Sequence, residues 1–359
     1  MSFARQAVTM RRGPSFACWC SLAFSMVLSF ASHNLMAFQG QPMSQPTNEE
    51  EPVGFFNLPM PTAGGQQFWT DFVHRGGWRI QQNSETGHFR LLDGSNIRHA
   101  WGNLAHCKQV LRQLETAGKV VPEKGRVVIL LHGLIRTSNS MQPMAKFLQQ
   151  HEFATINLQY ASSRKQVEDH AAALHSVIEH LDPQVTDIYF VAHSLGNIVT
   201  RRYLGDHHDA QTGRQGDPRI RRMVMLGPPN QGSRVARLLN NSVLFHTIAG
   251  KSGAQLSHSW EKLESTLATP SFEFGIIAGG QATDQEWSNF VLKGKDDYTV
   301  SVEETKLAGA ADFLVRPLWH SNMMKQQSVF DATLNFFDEG YFVSESEKQP
   351  LNAESNSGR

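Results

Sequence analysis

Three residue types that can act together on a carbonyl group lie far apart in this chain. Ser194 stands in Ala192-His193-Ser194-Leu195-Gly196, Asp297 in Lys295-Asp296-Asp297-Tyr298-Thr299-Val300, and His320 in Pro317-Leu318-Trp319-His320-Ser321-Asn322. A serine hydroxyl is a weak nucleophile until a base takes its proton, and the base needs an anion to hold its ring and stabilise the imidazolium. Attack on a carbonyl then leaves a negative oxygen, which two backbone N–H groups aimed in advance can stabilise. Leu195, directly after the serine, supplies one such amide. Leu134, in Leu130-Leu131-His132-Gly133-Leu134-Ile135, supplies the other, with Gly133 allowing the tight backbone. This chemistry calls for no metal and no organic cofactor.

These residues need a particular scaffold. Asp187 to Val191 is short, β-branched and aromatic, which predicts a buried parallel strand, and Asn197 to Leu204 has apolar residues at helical spacing. A serine at the corner between strand and helix, with small residues two positions either side, is a nucleophile elbow. Alanine at 192 replaces the commoner glycine. A small residue, a serine and a glycine at these offsets also recur by chance, so the partners must come from elsewhere. The expected order along such a chain is serine, acid, histidine. His320, in a loop after the last strand, fits the base better than His193, His246 or His258. Asp297 is the preferred acid, ahead of Asp296 and Asp284.

Strand and helix patterns alternate from residue 123 to 341. Strands are expected at Arg126 to Leu131, Ala154 to Leu158, Ile220 to Leu226, Phe274 to Ala278 and Phe313 to Pro317. Helices are expected at Ser140 to Gln150, Gln166 to Leu181 and Ser328 to Phe337. Such alternation requires right-handed crossovers and a parallel sheet covered on both faces, so the fold class is α/β. Residues 232–270 interrupt the pattern and are expected to form a lid. Before this domain, an extension over 60–122 reads as a hairpin, Trp78 to Gln82 with His88 to Leu92, followed by an amphipathic helix from Leu104 toward Gly118. Cys107 is expected to be a small buried hydrophobe, and Trp69, Trp78 and Trp101 to serve packing. The tail over 342–359 is polar and expected to be disordered.

The chain has 359 residues and 33 basic against 33 acidic side chains, which gives no reason to expect nucleic acid as a partner. A neutral or amphipathic small molecule fits better. The first 48 residues hold no Asp or Glu, carry Arg5, Arg11 and Arg12, and run apolar from Phe16 to Ala31. That predicts an export signal over 1–31 and a periplasmic or extracellular destination, or a membrane anchor through 16–31 if the signal stays uncleaved. Residues 32–59 read as a flexible linker. Asp206-His207-His208-Asp209 has the residue types of a metal site but no further spaced ligands, and Arg201-Arg202 with Arg221-Arg222 read as solvated faces.

Taken together, His132-Gly133-Leu134, the elbow, Pro229-Asn230-Gln231-Gly232-Ser233, Asp297-Tyr298-Thr299-Val300 and His320 resemble an α/β-hydrolase of the lipase and esterase kind. The nearest patterns are small bacterial lipases with alanine before the elbow and the GPI inositol-deacylase-like group. The resemblance spans about residues 125 to 340. It implies a Ser194, Asp297, His320 triad acting on a lipid or small ester. Tyr298 departs from it, since glycine usually follows the acid. The alternatives are an acyltransferase with an alcohol acceptor and a catalytically silent binding protein on the same scaffold.

Overall fold

The computed structural model describes residues 66–232, 250–256, 259–280 and 300–352, with the backbone of Met60–Pro61. The expected signal, the linker, Asp284, Asp296, Asp297, His246, His258 and residues 353–359 lie outside the described residues, as does much of the expected lid. Residues Val53–Arg359 form one compact unit. Among the described residues no helix is long and apolar enough to cross a membrane.

The chain first builds an antiparallel sheet from β1 (Met60–Pro61), β2 (Trp69–Arg75), β3 (Trp78–Asn83), β4 (Phe89–Leu92) and β5 (Ile97–Gly102), in the order β1-β5-β4-β3-β2. Cross-strand pairing aligns Val73, Ile80, Leu91 and Ala100 in one row. Helix α1 (Leu104–Thr116) covers that row with Cys107 and Leu111. Burial raises the Cys107 thiol to about 11, so it stays protonated and inert. The expected hairpin is β3 with β4. Strands β2 and β5 flank it, and β2 buries the polar residues Thr70, Asp71 and His74, which hides its strand pattern in the sequence.

The second sheet is parallel throughout: β6 (Gly125–Leu131), β7 (Ala154–Leu158), β8 (Val185–His193), β9 (Ile220–Leu226), β10 (Glu273–Gly279) and β11 (Asp312–Arg316), in the order β11-β10-β9-β8-β6-β7. Side chains alternate across it. Val127, Ile129 and Leu131 pack under helices α3 (Val167–Glu179) and α4 (Leu195–Asp206), while Val128 and Leu130 pack under α2 (Gln142–Gln149) and the closing helix Gln327–Glu339. Truncating one such residue, Ile129→Ala, costs about 2–5 kcal/mol. The chain goes from β6 outward to β7, then back across β6 to β8. That reversal opens a crevice at the carboxyl ends of β6 and β8, where ligands bind in open parallel sheets.

Two expectations need correction. Residues 342–351 are not disordered: the Asp312 carboxylate accepts the amides of Phe342 and Gln349, Leu351 donates to Ala310, and Phe342 is buried. Arg201 is not solvated either. It is buried, donating to the Ala268 carbonyl and to Asn230 Oδ1, and burial lowers its guanidinium to about 10.

Candidate active site

Ser194 occupies the single residue between β8 and α4, at φ 52° and ψ −118°. A non-glycine side chain is rarely held there, and the surrounding packing must enforce it. The Ser194 amide donates to the Leu226 carbonyl at 3.0 Å, tying the turn to the end of β9. Gly196 lets α4 approach β6 closely: a Cβ there would lie 2.8 Å from both the Leu131 Cβ and its carbonyl oxygen. The Ala192 methyl fits, buried in the core above β8.

The Leu195 and Leu134 amides have no acceptor among the described residues. Leu195 is the first residue of α4, so its N–H has no partner one turn back. Leu134 follows Gly133, whose added Cβ would meet the Ser194 Cβ at 3.2 Å. The positive end of the α4 dipole lies at the Leu195 amide.

His320 begins a short 3-10 turn after β11. Its ring fills the space over Gly227, where a Cβ would come within 2.6 Å of His320 Nδ1. Gly227 is at φ +51° and follows β9, the strand whose last carbonyl holds Ser194. His193, buried, donates from Nε2 to the His320 carbonyl at 3.0 Å, and the two rings lie 4.7 Å apart. Burial, with the Arg136 guanidinium second, lowers the His320 imidazole to about 4. Ser194 and His320 are thus brought to one rim. His193, next to the elbow serine, ties the His320 loop to the end of β8.

The loop after β6 is supported from one side. His132 is buried, its Nδ1 on the Gly133 carbonyl at 2.9 Å and its ring stacked on Tyr160 at 4.1 Å. Tyr160 donates its hydroxyl to the His132 carbonyl. Burial lowers His132 to about 4, so it too stays neutral. Ile135 has φ 62°, a strained state for a β-branched residue, and its amide donates to Ser162 Oγ at 3.1 Å. Tyr160 and Ser162 escaped the sequence reading because nothing in Gln159-Tyr160-Ala161-Ser162 signals contact with a loop that comes earlier in the chain.

The acid candidates fall outside the described residues, so the structure does not place Asp297. Pro229-Asn230 is fixed by Arg201 and by Asn230 Nδ2 donating to the Thr305 carbonyl. Among the described residues no three His, Cys, Asp or Glu side chains gather to hold a metal ion.

A wholly parallel sheet with this strand order, and a strained serine between its central strand and a helix, is an α/β-hydrolase fold. No protein-family model matches the chain, and no curated protein matches it. Solved structures do resemble it. One is the mature form of the lipase BlEst2 of Bacillus licheniformis, at 16% identity and TM-score 0.45 over 60% of this chain and 92% of that one. Another is Est1E of Butyrivibrio proteoclasticus with ferulic acid bound, at 15% and 0.40 over 61% and 90%. A third is the esterase EaEST of Exiguobacterium antarcticum, at 14% and 0.39 over 60% and 92%.

Proposed function

We propose that the chain is a serine hydrolase that cleaves a carboxylic ester, lipid or small, through an acyl-enzyme. Ser194 Oγ attacks the ester carbonyl while His320 takes its proton, and the oxyanion settles on the Leu134 and Leu195 amides. Collapse expels the alcohol, which leaves with the proton from His320. Water, deprotonated by the same ring, then attacks the acyl-serine and releases the acid. Asp297 orients His320 and stabilises its charged form. The observation that carries the reading is Ser194 itself: a non-glycine residue at φ 52° in the turn that opens α4, next to the Leu195 amide, which lacks an acceptor among the described residues. Strain of that kind persists where function requires it.

The test is hydrolysis of p-nitrophenyl acetate by Ser194→Ala. The expected outcome is a loss of about 10,000-fold or more in kcat, with an unchanged circular dichroism spectrum. Activity within tenfold of the parent chain overturns the assignment.

A further inference from the structure

We infer that the antiparallel sheet is part of the catalytic apparatus, with Asp71 the positioning residue that holds the oxyanion loop; the inference rests on the ester-hydrolase reading above. Asp71 is buried on β2 and grips one residue of the other sheet's periphery in two places. Its amide donates to the Gln159 carbonyl at 2.8 Å, and its Oδ2 accepts the Gln159 amide at 2.8 Å. Its neighbour Thr70 accepts the Ala161 amide on Oγ1 at 3.1 Å. The segment 159–161 is thus held as though β2 offered it another strand.

That segment and the residue after it hold the loop that carries Leu134. Gln159 Oε1 accepts the Ser138 amide at 2.9 Å, Tyr160 bonds and stacks on His132, and Ser162 Oγ accepts the amide of strained Ile135. Residues 132, 135 and 138 are therefore each tied to 159–162, and Leu134 lies between two of those ties. Asp71 is held in turn from its own sheet. Its Oδ1 accepts Gln81 Nε2 at 2.7 Å, and Gln81 Oε1 accepts Arg90 Nε and Nη2 at 3.0 and 2.8 Å. The Arg90 guanidinium lies 3.7 Å over the Trp69 ring. This chain of bonds is stiff where a loop on its own is soft. An amide must meet the developing oxyanion within a few tenths of an ångström, so releasing the brace raises the barrier without weakening ground-state binding.

The experiment compares Asp71→Ala, Asp71→Asn, Thr70→Val, Cys107→Ala and Ser194→Ala in the full chain, well below each melting temperature. Two quantities are read: kcat and KM for p-nitrophenyl acetate, and affinity for phenylboronic acid, whose tetrahedral serine adduct occupies the oxyanion hole. For Asp71→Ala, kcat falls about 10- to 100-fold with KM within twofold, and boronate affinity falls by the same factor. Asp71→Asn keeps an oxygen for the Gln159 amide and recovers most of the loss. Cys107→Ala loosens the opposite face of the same sheet and leaves kcat and boronate affinity unchanged. Should Asp71→Ala fail to fold, Thr70→Val serves, with a several-fold loss in both quantities. A folded Asp71→Ala or Thr70→Val with parental kcat and boronate affinity overturns the inference while Ser194→Ala is inactive. An active Ser194→Ala instead removes the hydrolase reading on which it stands.

Discussion

The two sheets of this molecule place their irregularities differently. Four non-glycine residues among those described have positive φ; Asn96 and Glu152 close exposed turns, and Ser194 and Ile135 stand at the carboxyl rim of the parallel sheet. At that rim Gly133, Gly196 and Gly227 have no room for a Cβ; in the antiparallel sheet Gly76, in the turn between β2 and β3, has none either, facing the Val121 backbone. The antiparallel sheet carries no comparable strain in its strands. It carries a buried carboxylate and guanidinium, Asp71 and Arg90, joined through Gln81. Buried charge of this kind is costly to break and adds little stability over apolar packing, so its use is to fix geometry. One sheet ends in strained backbone at Ser194 and Ile135, and the other bonds through Asp71 and Thr70 to the segment that holds Ile135.

The largest effect that sharpens this contrast belongs to Asp297→Asn, measured as a pH profile of kcat/KM. The substitution lowers kcat about 1000-fold or more, because the imidazolium loses its counter-ion. Burial and Arg136 lower His320 to about 4, and a carboxylate beside it raises that value again. The acidic limb of the variant therefore moves toward pH 4 relative to the parent chain. An unmoved limb transfers the acid's role to another residue.

A smaller loss separates the sheets by glycine. Gly227→Ala places a methyl 2.6 Å from His320 Nδ1 at φ +51°, and kcat falls about 100-fold as the base is displaced. Gly94→Ala, in a turn of the antiparallel sheet with nothing within 4 Å of the new methyl, leaves kcat unchanged. Steady-state kinetics on both variants checks the pair, and equal losses would erase the distinction.

The smallest effect is on stability against pH. His132, His170 and His193 all have imidazoles lowered by burial, to about 4, about 3 and well below the usual value. Above about pH 6.5 both folded and unfolded chains hold them neutral. Between about 6.5 and 4 the unfolded chain binds protons that the folded chain refuses, so stability falls as pH falls. Across the antiparallel sheet's junction the sign is the same but the window is lower. Burial raises the Glu123 carboxyl, yet the His74 hydrogen bond and charge and the Gly76 amide outweigh it and bring it to about 2, so its contribution is lost below about 4.5. Urea midpoints measured from pH 8 to 3 should decline first through the histidine window, and His170→Leu should flatten that decline. A flat midpoint from 6.5 to 4.5 contradicts the burial of these rings.

Much of the parallel sheet is legible in sequence because its strands are unbroken apolar runs: Ala154–Leu158 and Ile220–Leu226 begin and end where the pattern predicts. The turn at Ser194 is legible as well, since strand, corner residue and helix are adjacent in sequence, and so is the position of His320 after the last strand. What escapes is whatever depends on partners distant in sequence. Strand β2 hides behind Thr70, Asp71 and His74, whose burial makes sense only once Gln159 and Ala161 are beside them. Arg201 reads as solvated until Asn230 and Ala268 are seen to surround it, and 342–351 read as a loose tail until Asp312 is seen to receive two of their amides.

Labelling the full chain with a fluorophosphonate and sequencing the modified peptide tests the central claim most directly. The expected result is a single adduct on Ser194, abolished by His320→Ala and retained by Cys107→Ala. An adduct on a different serine, or undiminished labelling of Ser194 without the imidazole, contradicts it.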